Sequence, residues 1–185
     1  REMNTPLRLA AGESLYRDVG SYYGPWPPYL DAVALRLLGV HLDVLFFVRA
    51  VISALGIEAL RRLALRVSRQ RAVAAAATTL ALALCAFDRG GFWLFPYSVA
   101  ALEGAVASWW ALLVALTVPG AGGTLAAGLL AGLAAGAKLE FLPVIAVVAA
   151  ALAARHRASG AAASGGLALS VAALSWGLPW AVFGT

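Results

Sequence analysis

The sequence predicts an all-α protein: a polytopic bundle of about six transmembrane helices, preceded by an extracytoplasmic loop with short interfacial helices. Three observations carry that prediction. Of 185 residues, 62% are apolar, and the mean hydropathy is +0.84. A soluble fold of 19.0 kDa cannot enclose that much apolar surface, because small domains leave a large fraction of their surface in water. Charged residues make up only 12%, about half the usual share, and they cluster: positions 104–137 and 158–185 carry no Asp, Glu, Lys or Arg. Finally, Arg61, Arg62, Arg66, Arg69 and Arg71 crowd one short segment between apolar runs, and Arg155 and Arg157 another, which is the positive-inside pattern of membrane topology.

The net charge of +5 is therefore a topology signal, and nucleic-acid binding is not expected. The single cysteine, Cys85, lies in an apolar run, which leaves no intrachain disulfide and no thiol metal site. With no initiator methionine, no signal-peptide pattern and an apolar segment at the end, the chain reads as an internal fragment of a longer membrane protein.

Taken in order, residues 1–40 form the extracytoplasmic loop and 41–185 the helix bundle, truncated at both ends. Residues 3–11 can form a short surface helix ended by Gly12. Pro25, Pro27 and Pro28 argue against a continuous helix through that region. After Pro28, the helical spacing of Leu30, Val33, Leu37 and Leu38, broken by Asp31 and Arg36, suits a short helix in the membrane interface. Spans follow at 41–60, 72–87, 98–118, 124–138, 140–154 and 164–183. The fourth and fifth are short for a hydrocarbon core of about 30 Å and read as a hairpin that lines a cavity or sits beside thinned bilayer.

Loop parity tests this layout. With Arg61–Arg71 cytoplasmic, four crossings return Arg155 and Arg157 to the same side. Residues 1–31, the loop Asp88–Tyr97 and the turn Lys138–Glu140 then share the opposite side. Gly128, Gly132 and Gly136 recur every fourth residue; this is either a tight helix-packing seam or the chance product of a Gly- and Ala-rich chain. Gly120–Gly123 is no phosphate loop, since no Gly-Lys-Ser/Thr follows.

Soluble-type hydrolase chemistry has no support: no Gly-x-Ser-x-Gly elbow and no Cys/His pairing is present, and His41 and His156 fall at opposite faces without helical partners. The extracytoplasmic loop is richer. It gathers Glu2, Glu13 and Asp18, Arg8 and Arg17, and several aromatic rings. Carboxylates can take a proton from an acceptor hydroxyl, and arginine can clamp a phosphate; an aromatic belt with solvated charges has the same composition. Arg49 and Glu103 lie roughly 7–12 Å below the extracytoplasmic end at about 1.5 Å per residue, so they are expected to pair. Exchanging the two is then expected to restore part of the folded yield lost on substituting either one. Lys138 and Glu140 flank a turn where a lysine could meet a lipid phosphate or simply snorkel. Glu58 with Arg61 and Arg62 reads as a helix-surface ion pair.

Arg1-Glu2, then Ala11-Gly12-Glu13-Ser14-Leu15-Tyr16-Arg17-Asp18-Val19 and Gly24-Pro25-x-x-Pro28-Tyr29-Leu30, resembles the first large external loop of bacterial GT-C glycosyltransferases. Its relatives are the protein-mannosyltransferase, aminoarabinose-transferase and lipopolysaccharide-core galacturonosyltransferase-like proteins. Phe95-Pro96-Tyr97-Ser98 and Gly132-Leu133-Ala134-x-x-x-Lys138-x-Glu140-Phe141 add to the likeness, with Leu139 where many relatives have proline. The resemblance implies a GT-C type glycosyltransferase in the bacterial inner membrane. It would move a sugar from a polyprenyl-phosphate donor to a lipid, glycan or protein acceptor, with its active site facing outward. It further implies Glu2 and Asp18 as candidate catalytic carboxylates, and Arg17, Tyr16, Tyr23, Tyr97, Lys138 and Glu140 as candidate substrate contacts. Relatives commonly carry an Asp a few residues before the Arg-Glu pair, which here would fall upstream of Arg1. Membrane lipids are the other expected partners; no cofactor is called for, and a divalent metal is compatible with the pattern. The alternative is a transporter or flippase for a lipid-linked or polar solute, with Arg49 and Glu103 as pathway charges; a non-catalytic membrane subunit is the third reading.

Overall fold

The structure, a computed structural model, describes residues 4–86, 98–155 and 158–183. These residues are all-helical: α1 (Asn4–Ala10), α2 (Trp26–Leu38), α3 (Leu42–Ser68), α4 (Arg71–Ala86), α5 (Val99–Thr117), α6 (Gly120–Ala137), a 3₁₀ turn (Leu139–Phe141), α7 (Leu142–Arg155) and α8 (Ala158–Phe183). An isolated bridge joins Leu15 to Val19, and no strand occurs among the described residues.

Several boundaries differ from the sequence reading for identifiable reasons. Helix α2 begins at Trp26, so Pro27 and Pro28 fall in its first turn, where a missing N–H leaves no hydrogen bond unmade. The arginine segment is mostly helix: α3 runs on to Ser68, with Glu58 bonded to both Arg61 (2.7 Å) and Arg62 (2.6 Å). The chain turns only at Arg69, whose φ of 57° is left-handed. Gly120–Gly123 likewise belongs to α6, which starts four residues before the expected 124.

The amphipathicity of α2 is inverted. Pro27, Asp31, Ala32 and Leu35 are buried, whereas Leu30, Val33, Leu37 and Leu38 are exposed. Arg36 reaches back to cap α1, donating to the carbonyls of Leu9 (2.9 Å) and Ala10 (3.0 Å) at the C-terminal end of the helix, where carbonyls lack intrahelical partners; the Leu9 carbonyl also accepts the Gly12 N–H (3.0 Å).

Helices α5 to α8 share one core of small and branched side chains: Ala111 and Ala115, then Ala127, Ala131 and Ala135, then Ile145, Val148 and Leu152, then Ala168 and Ala172. Helix α6 is pressed against α8 along its glycine stripe. A Cβ at Gly128 would stand 2.7 Å from the Ser164 carbonyl oxygen, one at Gly132 2.8 Å from that of Ala168, and one at Gly136 2.6 Å from Ser175 Oγ. All are closer than side-chain carbons approach, so the stripe is a packing seam.

Among the described residues, two helices, α5 and α6, are long and apolar enough to cross a membrane. Helix α3 has 27 residues but carries Asp43, Arg49 and Glu58, and α4 and α7 have 16 and 14 residues, roughly 21–24 Å at 1.5 Å per residue. Apolar stretches at Arg71–Ala83 and Ala161–Gly177 are shorter still than a full span.

The bundle has two distinct ends. At one, Arg66 and Arg155 both reach the last carbonyls of α5, at Leu116, Ala115 and Thr117, so the two basic segments lie together as loop parity requires. At the other, residues 11–25 meet the C-terminal end of α6.

Candidate functional site

The polar loop is a folded lobe. Leu9, Leu15, Val19 and Ala32 close a small core, and Gly12, with φ of 103°, turns the chain out of α1. Arg8 pairs with Glu13 and donates to the Asp18 carbonyl oxygen (2.9 Å). Asp18 organises the turn: its Oδ2 accepts the Ser14 N–H (2.9 Å) and its Oδ1 the Arg17 Nε–H (3.2 Å). That Ser14 bond, then Arg17 and Arg8, hold its carboxyl below the usual aspartate value. Both carboxylate oxygens are thus engaged within the loop, while the Arg17 side chain is 67% exposed.

Tyr16 holds a φ of 70°, a costly conformation for a large side chain. Two bonds fix it there: its N–H donates to the Val19 carbonyl oxygen (2.8 Å) and its hydroxyl to that of Tyr23 (2.5 Å). Burial, with Tyr29 nearby, pushes the Tyr16 hydroxyl up to about 12, so it stays a donor at neutral pH.

The Tyr23 end of the lobe is pinned to α6. The Gly24 N–H donates to the Ala137 carbonyl oxygen (2.9 Å) and Trp26 Nε1 to that of Leu133 (2.8 Å). Gly24 lies so close to the Gly136 carbonyl that no side chain fits. This docking sets Lys138 Nζ 5.7 Å from the centre of the Tyr23 ring, within cation–π range, and 2.8 Å from Glu140 Oε2.

The sequence-predicted residues therefore form two neighbouring groups. Tyr23, Lys138 and Glu140 meet at the end of α6, Arg17 and Asp18 lie on the rim of the lobe, and Tyr16 links the two through its bond to Tyr23. Glu2 and Tyr97 lie outside the described residues.

Beneath the lobe, Arg49 pairs with Glu103, its Nη1 3.2 Å from Oε1, as their depths in the sequence predict. It also pairs with Asp31 of α2, which sequence reasoning missed as a partner. Two carboxylates thus face one guanidinium, all deeply buried, and Asp31 Oδ1 and Glu103 Oε2 have no hydrogen-bond partner among the described residues. Asp31 also lines a cavity of about 30 Å³ with Ser21, Tyr23 and Thr5, room for a water-sized group. A signal for Asp31 was present: Pro27, Asp31 and Leu35 recur every fourth residue and bury one face of α2.

No protein-family model, curated protein or solved structure matches the chain.

Proposed function

We propose that this chain is part of a GT-C type glycosyltransferase of the bacterial inner membrane. In this reading the bundle spans the bilayer about six times, and the lobe faces outward. A sugar passes from a polyprenyl-phosphate donor to a lipid, glycan or protein acceptor. The observation that carries the reading is the docking of the Tyr16–Tyr23 segment on the Lys138 turn, because it gathers at one end of the bundle the groups such a transfer needs. Arg17 offers an exposed planar fork to a phosphate, and Lys138 a second cation. Tyr23 and Tyr16 supply ring faces for a sugar. A carboxylate, Glu2 or Asp18, takes the proton of the acceptor hydroxyl as the sugar's bond to phosphate breaks. The outward-facing apolar stripe Phe47, Val51, Leu55 on α3 and the exposed Leu30, Val33 and Leu37 on α2 support the membrane setting, since apolar patches of this kind mark lipid or partner contact.

The test is transfer in membranes that carry the protein, supplied with radiolabelled polyprenyl-phosphate sugars. Transfer is expected in wild type, weakened in Lys138→Met, and lost in Glu2→Gln or Asp18→Asn at unchanged expression. No transfer from any donor, with the variants matching wild type, overturns the reading.

The second reading, a transporter, is favoured by the buried Asp31–Arg49–Glu103 cluster, since ionisable groups inside a bundle commonly line solute pathways. Solute flux in vesicles that is abolished by Glu103→Gln, without any sugar transfer, would decide for it.

A further inference from the structure

The opposite end of the bundle holds a cavity of about 670 Å³ between the last turns of α3 and the end of α5. Arg62 and Arg66 line it from α3 and Arg69 from the turn that follows, with Leu65 and Leu113 as its apolar lining. The four-residue spacing of Arg62 and Arg66 sets them on one helix face, and the left-handed turn at Arg69 brings the third guanidinium to the same groove.

These cations are not equivalent. Arg62 is shared with Glu58 and lies 5.6 Å from the centre of the Trp110 ring. Arg66 donates only a long bond, 3.4 Å, to the Leu116 carbonyl oxygen. Neither Arg66 nor Arg69 has a carboxylate partner among the described residues, and both are exposed. Arg155, from the other basic segment, instead caps α5 through the carbonyls of Ala115 (3.2 Å) and Thr117 (3.3 Å). The groove reaches Thr117, so the guanidiniums stand at the level where α5 ends and α6 begins.

We propose that this groove binds the phosphate of an anionic phospholipid. Two planar forks without counter-charges match phosphate oxygens, and the leucines take the first carbons of the lipid's acyl chains. A free phosphate would gain nothing from those leucines. The inference rests on the membrane-spanning reading of the bundle and is independent of sugar transfer.

The experiment follows thermal unfolding of the protein in uncharged detergent as phosphatidylglycerol, phosphatidylcholine or glycerol 3-phosphate is titrated in. Phosphatidylglycerol alone is expected to raise the midpoint. The double variant Arg66→Gln with Arg69→Gln should require about tenfold more of it or worse, while Arg61→Gln with Arg71→Gln, which removes the same charge outside the groove, should behave as wild type. Equal weakening in the two double variants would reduce the effect to the charge of the whole end and overturn the site. Stabilisation by glycerol 3-phosphate as strong as by the lipid, or no selective stabilisation by phosphatidylglycerol, would also overturn it. Failure here with sugar transfer intact rejects the lipid site alone; failure to enter membranes at all rejects both readings.

Discussion

At the end of the bundle that carries residues 11–25, carboxylates pair with arginine and lysine side chains. Arg8 meets Glu13, Arg17 meets Asp18, Lys138 meets Glu140, and Arg49 meets Asp31 and Glu103. At the other end, Glu58 serves Arg61 and Arg62, Arg155 is spent on backbone carbonyls, and Arg66 and Arg69 keep uncompensated charge beside an open groove. The same residue type therefore does opposite work. Where charge is enclosed, as at Arg49 with Asp31 and Glu103, it locks elements together; where it lies at the surface, as at Arg17 or Arg66, it is available to something outside the chain. Only the first use makes the fold depend on each partner.

The most severe test of that contrast is Arg49→Met. It leaves Asp31 and Glu103 facing each other in a buried space, and removing one member of a buried ion pair typically costs about 3–5 kcal/mol. Thermal unfolding in detergent should show a large loss, and folded yield should collapse. Glu103→Gln leaves one aspartate on one guanidinium and should cost clearly less. Arg66→Gln, by contrast, should stay within about 0.5 kcal/mol of wild type, as surface changes usually do. If Arg49→Met and Arg66→Gln were equally mild, the distinction between the two ends would be lost.

Asp31 also shows where the sequence stopped being legible. The helical architecture followed from apolar runs and charge gaps, and the Arg49–Glu103 pair followed from depth counting along two helices. Both arguments need only residue spacing. The third member came from an element whose amphipathicity runs the other way: Leu30, Val33 and Leu37 face outward and Asp31 inward, so ordinary periodicity reads the helix inside out. The consequence is concrete. Exchanging Arg49 with Glu103 sets a glutamate against Asp31, and the exchange is now expected to rescue little, unless Asp31→Asn accompanies it. Similarly, Lys138 and Glu140 were recognisable as a turn, but their meeting with Tyr23 depends on the approach of Gly24 to α6, and no local pattern announces a contact between residues so far apart in the chain. A charge run between two apolar spans predicts a connecting loop, yet arginine is a good helix former and α3 continues to Ser68; the helix-surface pairing of Glu58 with Arg61 and Arg62 is as the spacing predicts.

The docking of the lobe gives the next test. Gly24→Val would drive a side chain into the Gly136 carbonyl, and overpacking of this kind typically costs about 1–3 kcal/mol. Because the damage falls on an edge of the fold, the expected result is a lobe released from α6 while the bundle core stays intact. Limited proteolysis should cut within residues 11–25, and the contact of Lys138 with Tyr23 should be lost. A variant whose loop resists protease as well as wild type would separate the lobe from the Lys138 turn and remove the main support for a shared site.

The smallest expected effect distinguishes, within the lobe itself, charges that hold a turn from charges that stay available. Asp18 accepts from Ser14 N–H and from Arg17, and its folded carboxyl sits below the ordinary value of 3.8. A group with a depressed folded pKa stabilises the fold above its unfolded pKa, and that contribution disappears as pH falls through the folded value. The turn should therefore be fully protected at pH 5 and loosen only below the ordinary aspartate range. Amide exchange at Ser14, corrected for the intrinsic rate at each pH, would report it directly. In Asp18→Asn the Ser14 amide should already exchange faster at pH 5, and the acid-induced step should vanish. Since Asp18 is solvent-accessible, the change should stay local to residues 13–19 and leave α5 and α6 untouched. A loss of protection that spread into those helices would mean that the rim carboxylate, like the buried cluster beneath it, belongs to the framework, and that Arg17 is held too firmly to serve an incoming phosphate.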